Sequence, residues 1–178
     1  MVKFSTRRIV VLATLTAVAL IMFMVESLFP PLFFPGAKMG ISNICTLLCL
    51  VMLTPFDAII LIIIRTTLGS LFSSGISTLV YSLPAGMISV VVSSLLMLFH
   101  PKISLVAISI TSAVIHNITQ NLIFVWISGV TLMLNYMPYL SLIGVLAGFI
   151  VGIATYFLVK AIPQSTFNTL YDSINYRS

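Results

Sequence analysis

The sequence has 178 residues, 60% of them hydrophobic and only 6% charged, with a formal net charge of +5 and a mean hydropathy of +1.24. Soluble domains carry roughly 25% charged residues, so this chain cannot clothe a water-soluble globule, and a soluble single-domain enzyme is excluded. The chain belongs in a lipid bilayer, where a basic excess marks cytoplasmic flanks; no basic stripe interleaved with exposed aromatics points to nucleic acid.

A crossing needs roughly 20 apolar residues, and breaks at Pro, Gly and charged residues divide the chain into six predicted spans. The first covers about 9–29 and ends at Pro30-Pro31. A Pro- and Gly-rich loop, PPLFFPGAKMG, leads to a short second span at about 41–53. The third, about 57–72, follows Thr54-Pro55-Phe56-Asp57. That is a helix-start signature, with Thr as N-cap, Pro at the first helical position and an acid in the first turn. The fourth covers about 78–99, with Pro84 near its start, and ends at His100-Pro101. The fifth covers about 103–127 and the sixth about 138–161. The expected fold is therefore an all-α integral membrane protein, a bundle of six transmembrane helices over 1–162 with a short polar tail at 163–178.

Charge placement sets the orientation. With the N-terminus inside, the inner regions hold Lys3, Arg7, Arg8, Lys102, Lys160 and Arg177, and the outer loops hold only Lys38. This is a positive-inside pattern with both termini cytoplasmic, and an odd number of spans would break it.

The unusual polar residues then gather in the outer half of the bilayer: Glu26, Lys38, Arg65, Tyr81, and the run His116, Asn117, Gln120 and Asn121. Ionisable groups at membrane depth cost several kcal/mol and face a cavity or a partner. Spacings of three and four put the fifth-span run on one helix face, away from Ile115, Ile118, Leu122 and Val125. Two readings of it stand: a ligand pocket, or side chains that cross-bond neighbouring helices. Arg65 has two as well. It can pair with Glu26, or it can grip a carboxylate or phosphate through its planar fork. The loop Pro35–Gly40 around Lys38 is either a connector or a cover over the pocket mouth. Cys45 and Cys49, a helical turn apart, read as small hydrophobes, with no disulfide framework or metal spacing.

Small residues four apart let helices approach closely. The first span offers Ala13 and Ala17, for packing within the chain or for docking a partner. The sixth offers Gly144, Gly148 and Gly152, expected to pack inside the bundle.

Over residues 7–162 the chain resembles the Gx transporters, a family of small membrane proteins also known as heptaprenyl diphosphate synthase component I. The resemblance is carried by PGAKMGISNI (35–44), RTTLGSLFSSG (65–75), YSLPAGMIS (81–89) and SAVIHNITQNL (112–122). That family is in turn similar to the substrate-binding S components of energy-coupling-factor (ECF) transporters. The resemblance implies six helices, a small-molecule site near the outer face under the first loop, and a bacterial cytoplasmic membrane. It also implies an AxxxA motif, here Ala13 and Ala17, that docks a transmembrane T subunit served by two ATPases.

The expected function is uptake of a small organic anion such as a vitamin, quinone or isoprenoid precursor, with no cofactor, metal or catalytic residue of its own. ATP hydrolysis falls to separate subunits, because no GxxxxGK[ST] phosphate cradle occurs. Prenyl transfer needs clustered aspartates to hold Mg²⁺, and Asp57 and Asp172 are far apart. The alternatives are a membrane accessory subunit of heptaprenyl diphosphate synthase and a stand-alone secondary transporter.

Overall fold

The computed structural model describes residues 5–28, 40–74, 76–100, 102–163 and 165–167. All regular structure among them is helical: α1 (Thr6–Leu28), α2 (Asn43–Met52), α3 (Pro55–Gly69) with a π-helical turn (Ser70–Ser74), α4 (Ile76–Met97), α5 (Leu105–Ser128), a 3₁₀ turn (Thr131–Tyr136) and α6 (Met137–Ala161). Among the described residues, five helices are long and apolar enough to cross a membrane. Lys38 and its loop, and the tail beyond residue 167, lie outside the described residues.

The second predicted crossing differs from the rest. α2 has 10 residues, about 15 Å of helix against a hydrocarbon core of about 30 Å. Its flanks, however, are tied to both ends of α1. Glu26 accepts hydrogen bonds from the Ile41 N–H at 2.8 Å and the Ser42 hydroxyl at 3.3 Å. Thr54, beyond the other end of α2, accepts from Arg8 Nη2 at 2.9 Å. Between Arg8 and Glu26 the helix rises about 27 Å. Residues 41–54 therefore run antiparallel to α1 over that depth and are helical only in the middle.

The start of α3 forms as its sequence dictates. Thr54 caps the Asp57 N–H and the Asp57 carboxylate accepts from the Thr54 N–H, a capping box with Pro55 in the first turn. Asp57 has a second role that the sequence does not announce. It is fully buried and forms an ion pair with Arg8 at 2.8 Å, while Arg8 Nε donates to both carboxylate oxygens at 3.1 and 3.0 Å. Arg8, expected among the cytoplasmic flanking cations, is thus an internal charge neutralised by Asp57. Arg7, Lys102 and Lys160 are exposed.

α3 runs parallel to α1, with Asp57 beside Arg8 at one end and Gly69 pressed against the Phe23 ring at the other. α4 meets α5 through Ser89 and Ser112, whose hydroxyl oxygens lie 2.7 Å apart. α5 and α6 pack antiparallel along Gly144, Gly148 and Gly152. A Cβ at these positions would lie 3.0, 2.6 and 2.7 Å from the Cα atoms of Val114, Ile110 and Val106. This glycine face packs inside the bundle, as expected. Ala13 and Ala17 do not pack within the chain: both are exposed, while Leu12, Thr16 and Ala19 form the buried side of α1.

The partition is that of a bilayer protein. Large apolar side chains such as Ile21, Val91, Leu122, Phe149 and Ile150 point outward, and Arg8, Asp57, Arg65 and a series of Ser and Thr point inward.

Two stability predictions follow from this packing. Gly148→Ala forces backbone apart and should cost about 1–3 kcal/mol as overpacking, more than Gly144→Ala, measured by thermal unfolding in mild detergent; equal effects would refute the packing order. Arg8→Met leaves Asp57 buried without its cation and should cost about 3–5 kcal/mol. Adding Asp57→Leu should recover part of that loss, and a double variant no better than Arg8→Met would count against the pair.

Candidate functional site

A cavity of about 70 Å³ lies inside the bundle, bounded by residues from all six helices. By the volume a bound water needs, about 10–15 Å³, it holds about five waters. Phe23, Glu26 and Gly40 mark one end of it; Ser93, Ser109 and Val151 mark the other.

Arg65, from the middle of α3, enters from the side and is only 4% exposed. Its Nη1 and Nη2 both donate to Asn43 Oδ1 on α2, at 3.2 and 3.1 Å. The ion pair with Glu26, one of the two readings of Arg65, is not formed among the described residues; the Glu26 oxygens accept instead from Ile41 and Ser42 at the start of α2. Among the described residues, the carboxylate–cation contact is that of Arg8 with Asp57. Arg65 is therefore a buried cation held by a neutral amide, and its Nε has no hydrogen-bond partner. Glu26 lines the same cavity.

The polar face of α5 divides between two directions. Asn117 donates to the Leu140 carbonyl of α6 at 3.0 Å, and Asn121 to the Met133 carbonyl of the 3₁₀ turn at 2.9 Å. These two bind segments together. His116 and Gln120 lie beside each other and toward Ala85 of α4, and they line the cavity with Asn117. Asn121 does not line it. One residue along a helix is about 100° of rotation, enough to carry Asn121 past Gln120 toward the 3₁₀ turn. Tyr81 is turned away in the same manner from Ser82, which does line the cavity. Its hydroxyl lies 3.5 Å from Thr78 Oγ1, and its ring meets Phe124 edge-on at 5.7 Å.

Of the eight residues expected at a ligand site, Glu26, Arg65, His116, Asn117 and Gln120 line one cavity, Tyr81 and Asn121 do not, and Lys38 lies outside the described residues. Sequence reasoning missed the α2 contribution, Ser42, Asn43 and Thr46, and the serines Ser89, Ser93, Ser109 and Ser112. The α2 residues carried a signal: polar groups one turn apart at the start of an apolar run. Besides Arg65 Nε, Thr46 Oγ1 and Ser82 Oγ in the cavity wall are buried without a partner. Orphaned polar atoms around one space mark it as a place for a polar guest, because each costs about 1–3 kcal/mol unpaired.

The arrangement can bind an anion. It offers a guanidinium with a free donor edge, amide and imidazole groups from α2 and α5, and apolar walls from Leu47, Leu50 and Ile62. Asn121→Ala, which strands the Met133 carbonyl, should cost about 1–3 kcal/mol of stability and leave ligand affinity unchanged. Thermal unfolding and equilibrium binding separate the two, and a tenfold affinity loss would put Asn121 back in the site.

No curated protein and no solved structure matches the chain. The family model described as "Heptaprenyl diphosphate synthase component I" matches residues 15–158, a stretch that contains every residue lining the cavity. The chain belongs to that family.

Proposed function

We propose that the protein is a substrate-binding membrane component that takes up a small organic anion, in the manner of the S component of an ECF-type transporter. The observation that carries this reading is Arg65: a cation buried in a cavity, with no carboxylate in contact among the described residues and its Nε unpartnered. A buried charge in that state calls for an anionic partner, and a guanidinium suits carboxylate or phosphate.

The topology of this reading has six crossings, α2 serving as the short one, with both termini in the cytoplasm of a bacterium. The ties of residues 41–54 to both ends of α1 support it. So does the exposure of Arg7, Lys102 and Lys160, on chain ends and a turn that six crossings bring to one side. The ligand enters at the Glu26 end. The exposed Ala13 and Ala17 dock a transmembrane T subunit, and two separate ATPases supply the hydrolysis; the chain itself is no enzyme.

The family description favours a second reading, a membrane accessory component of heptaprenyl diphosphate synthase. On that reading too the catalysis belongs to a partner, since Asp57 is engaged by Arg8 and Thr54 rather than available to Mg²⁺ and diphosphate.

Native mass spectrometry of protein purified in mild detergent decides between them. A bound organic anion with a T subunit and ATPases supports transport; stable capture of a soluble prenyl diphosphate synthase subunit supports the accessory role. For the anion identified, Arg65→Gln should raise the dissociation constant at least about tenfold, or about 1.4 kcal/mol. An unchanged constant would remove Arg65 from the site.

A further inference from the structure

The cavity does not stop at Arg65. On α4 its wall passes through Thr78, Ser82, Ser89 and Ser93, and on α5 through Gln120, His116, Ser112 and Ser109. From Ser82 to Ser93, and from Gln120 to Ser109, each helix advances about 16 Å. The space is therefore a slot with two chemically different ends. Arg65, Asn43, Glu26 and Gln120 surround the charged end. At the other, four serine hydroxyls face Leu50, Val90 and Val151, with no ionisable side chain among the lining residues there.

The hydroxyl end is built rather than incidental. Ser89 donates to the Ser112 carbonyl at 3.1 Å, its oxygen lies 2.7 Å from the Ser112 hydroxyl, and Ser93 donates to the Ser89 carbonyl at 2.8 Å. These bonds fix the hydroxyl oxygens in place and leave acceptor lone pairs for a guest. Between the two ends, Gly86 lets α4 pack closely on α3: a Cβ there would lie 3.2 Å from Ile62 and 3.9 Å from His116. Ser82 Oγ and Thr46 Oγ1 are buried and unpartnered along the same wall.

We propose that the arm lined by Ser89, Ser93, Ser109 and Ser112 is a second subsite, which receives the uncharged, hydroxyl-bearing end of an elongated anion whose acidic end is held at Arg65. The inference rests on the reading of Arg65 as the anion site and extends it. It disfavours anions with a purely hydrocarbon tail, since a methyl terminus would leave the serine oxygens facing an apolar group.

Single cysteines test it before any natural ligand is known. In a Cys45→Ala/Cys49→Ala background, Ser82→Cys, Ser93→Cys and Ser109→Cys are near-isosteric. Val91→Cys on the outward face of α4 is the control. Purified protein in mild detergent is reacted with a sulfonated and a trimethylammonium methanethiosulfonate, with rates referred to those of a free thiol. The expected result is reaction at all three serine positions. The anionic reagent should be favoured at least tenfold, and Arg65→Gln should abolish that preference. Reaction at Ser82→Cys alone, with Ser93→Cys and Ser109→Cys silent, overturns the subsite and leaves the Arg65 site standing. Anion preference that is absent, or that survives Arg65→Gln, overturns the Arg65 reading itself. The hydroxyl specificity is read from protection: ω-hydroxyoctanoate should slow labelling of Ser93→Cys at least threefold more than octanoate. Equal protection, or none from either, overturns it.

Discussion

Arg8 and Asp57 share a contact at 2.8 Å, with the Thr54 hydroxyl as a third member, at a site closed to solvent. An unpaired charge there would cost several kcal/mol, so the N-terminal turns of α1 and α3 are fixed to each other and to the exit of α2. Glu26 does the corresponding work at the other end of α1, where it collects the Ile41 N–H and the Ser42 hydroxyl. Between these two clamps, a segment with only 10 helical residues is held across the depth of a full helix. The cavity depends on this arrangement. With α2 pinned at both ends, Asn43 and Thr46 face Arg65 and the α4–α5 seam instead of lipid.

The clamps also set the electrostatics of the site. Glu26 is the one acid in the cavity wall among the described residues, and the fold commits both its oxygens to the start of α2. Arg65 is thereby left with a neutral amide. The two buried arginines illustrate opposite uses of one side chain. Arg8 is bound by a carboxylate and a hydroxyl and belongs to the architecture. Arg65 keeps a charge that no carboxylate among the described residues neutralises in contact, and an ionisable group at membrane depth faces a cavity or a partner.

How much of this the sequence discloses depends on the range of the interaction. Apolar runs between Pro, Gly and charged residues locate α1, α3, α4, α5 and α6 to within a few residues, because burial in lipid acts on each segment by itself. The capping box at Thr54 and Asp57 is legible for the same reason: its partners are three residues apart. The glycines at 144, 148 and 152 are legible as a face, since spacing by four is a helical repeat. The Arg8–Asp57 pair is not, because its members are 49 positions apart and each has a sufficient local explanation. Tyr81 and Asn121 show a different limit. Depth follows from position along a span, but the direction of a side chain follows from the phase of the helix against its neighbours, which neighbouring positions such as Gln120 and Asn121 do not share. The deep serines are hard to read for a further reason. A serine in a helix can bond to its own backbone, as Ser93 does to Ser89, so its presence in an apolar span signals no partner.

The family description and the geometry of Arg65 can be weighed against each other on one point, enclosure. An accessory subunit that presents a diphosphate to a soluble enzyme needs its anion contacts where that enzyme can reach them, at a surface. Arg65 is 4% exposed, and the polar groups that join it in the cavity come from α2 and α5 and converge inward. An anion that reaches this guanidinium has left bulk water and has its charge balanced by the protein interior. Such a site gains from excluding solvent, because charge-assisted hydrogen bonds strengthen as the local dielectric falls, and it gains nothing from proximity to a second active site. Enclosure therefore fits the proposed reading, in which an anion leaves water for the protein interior, better than presentation of an anion at a surface.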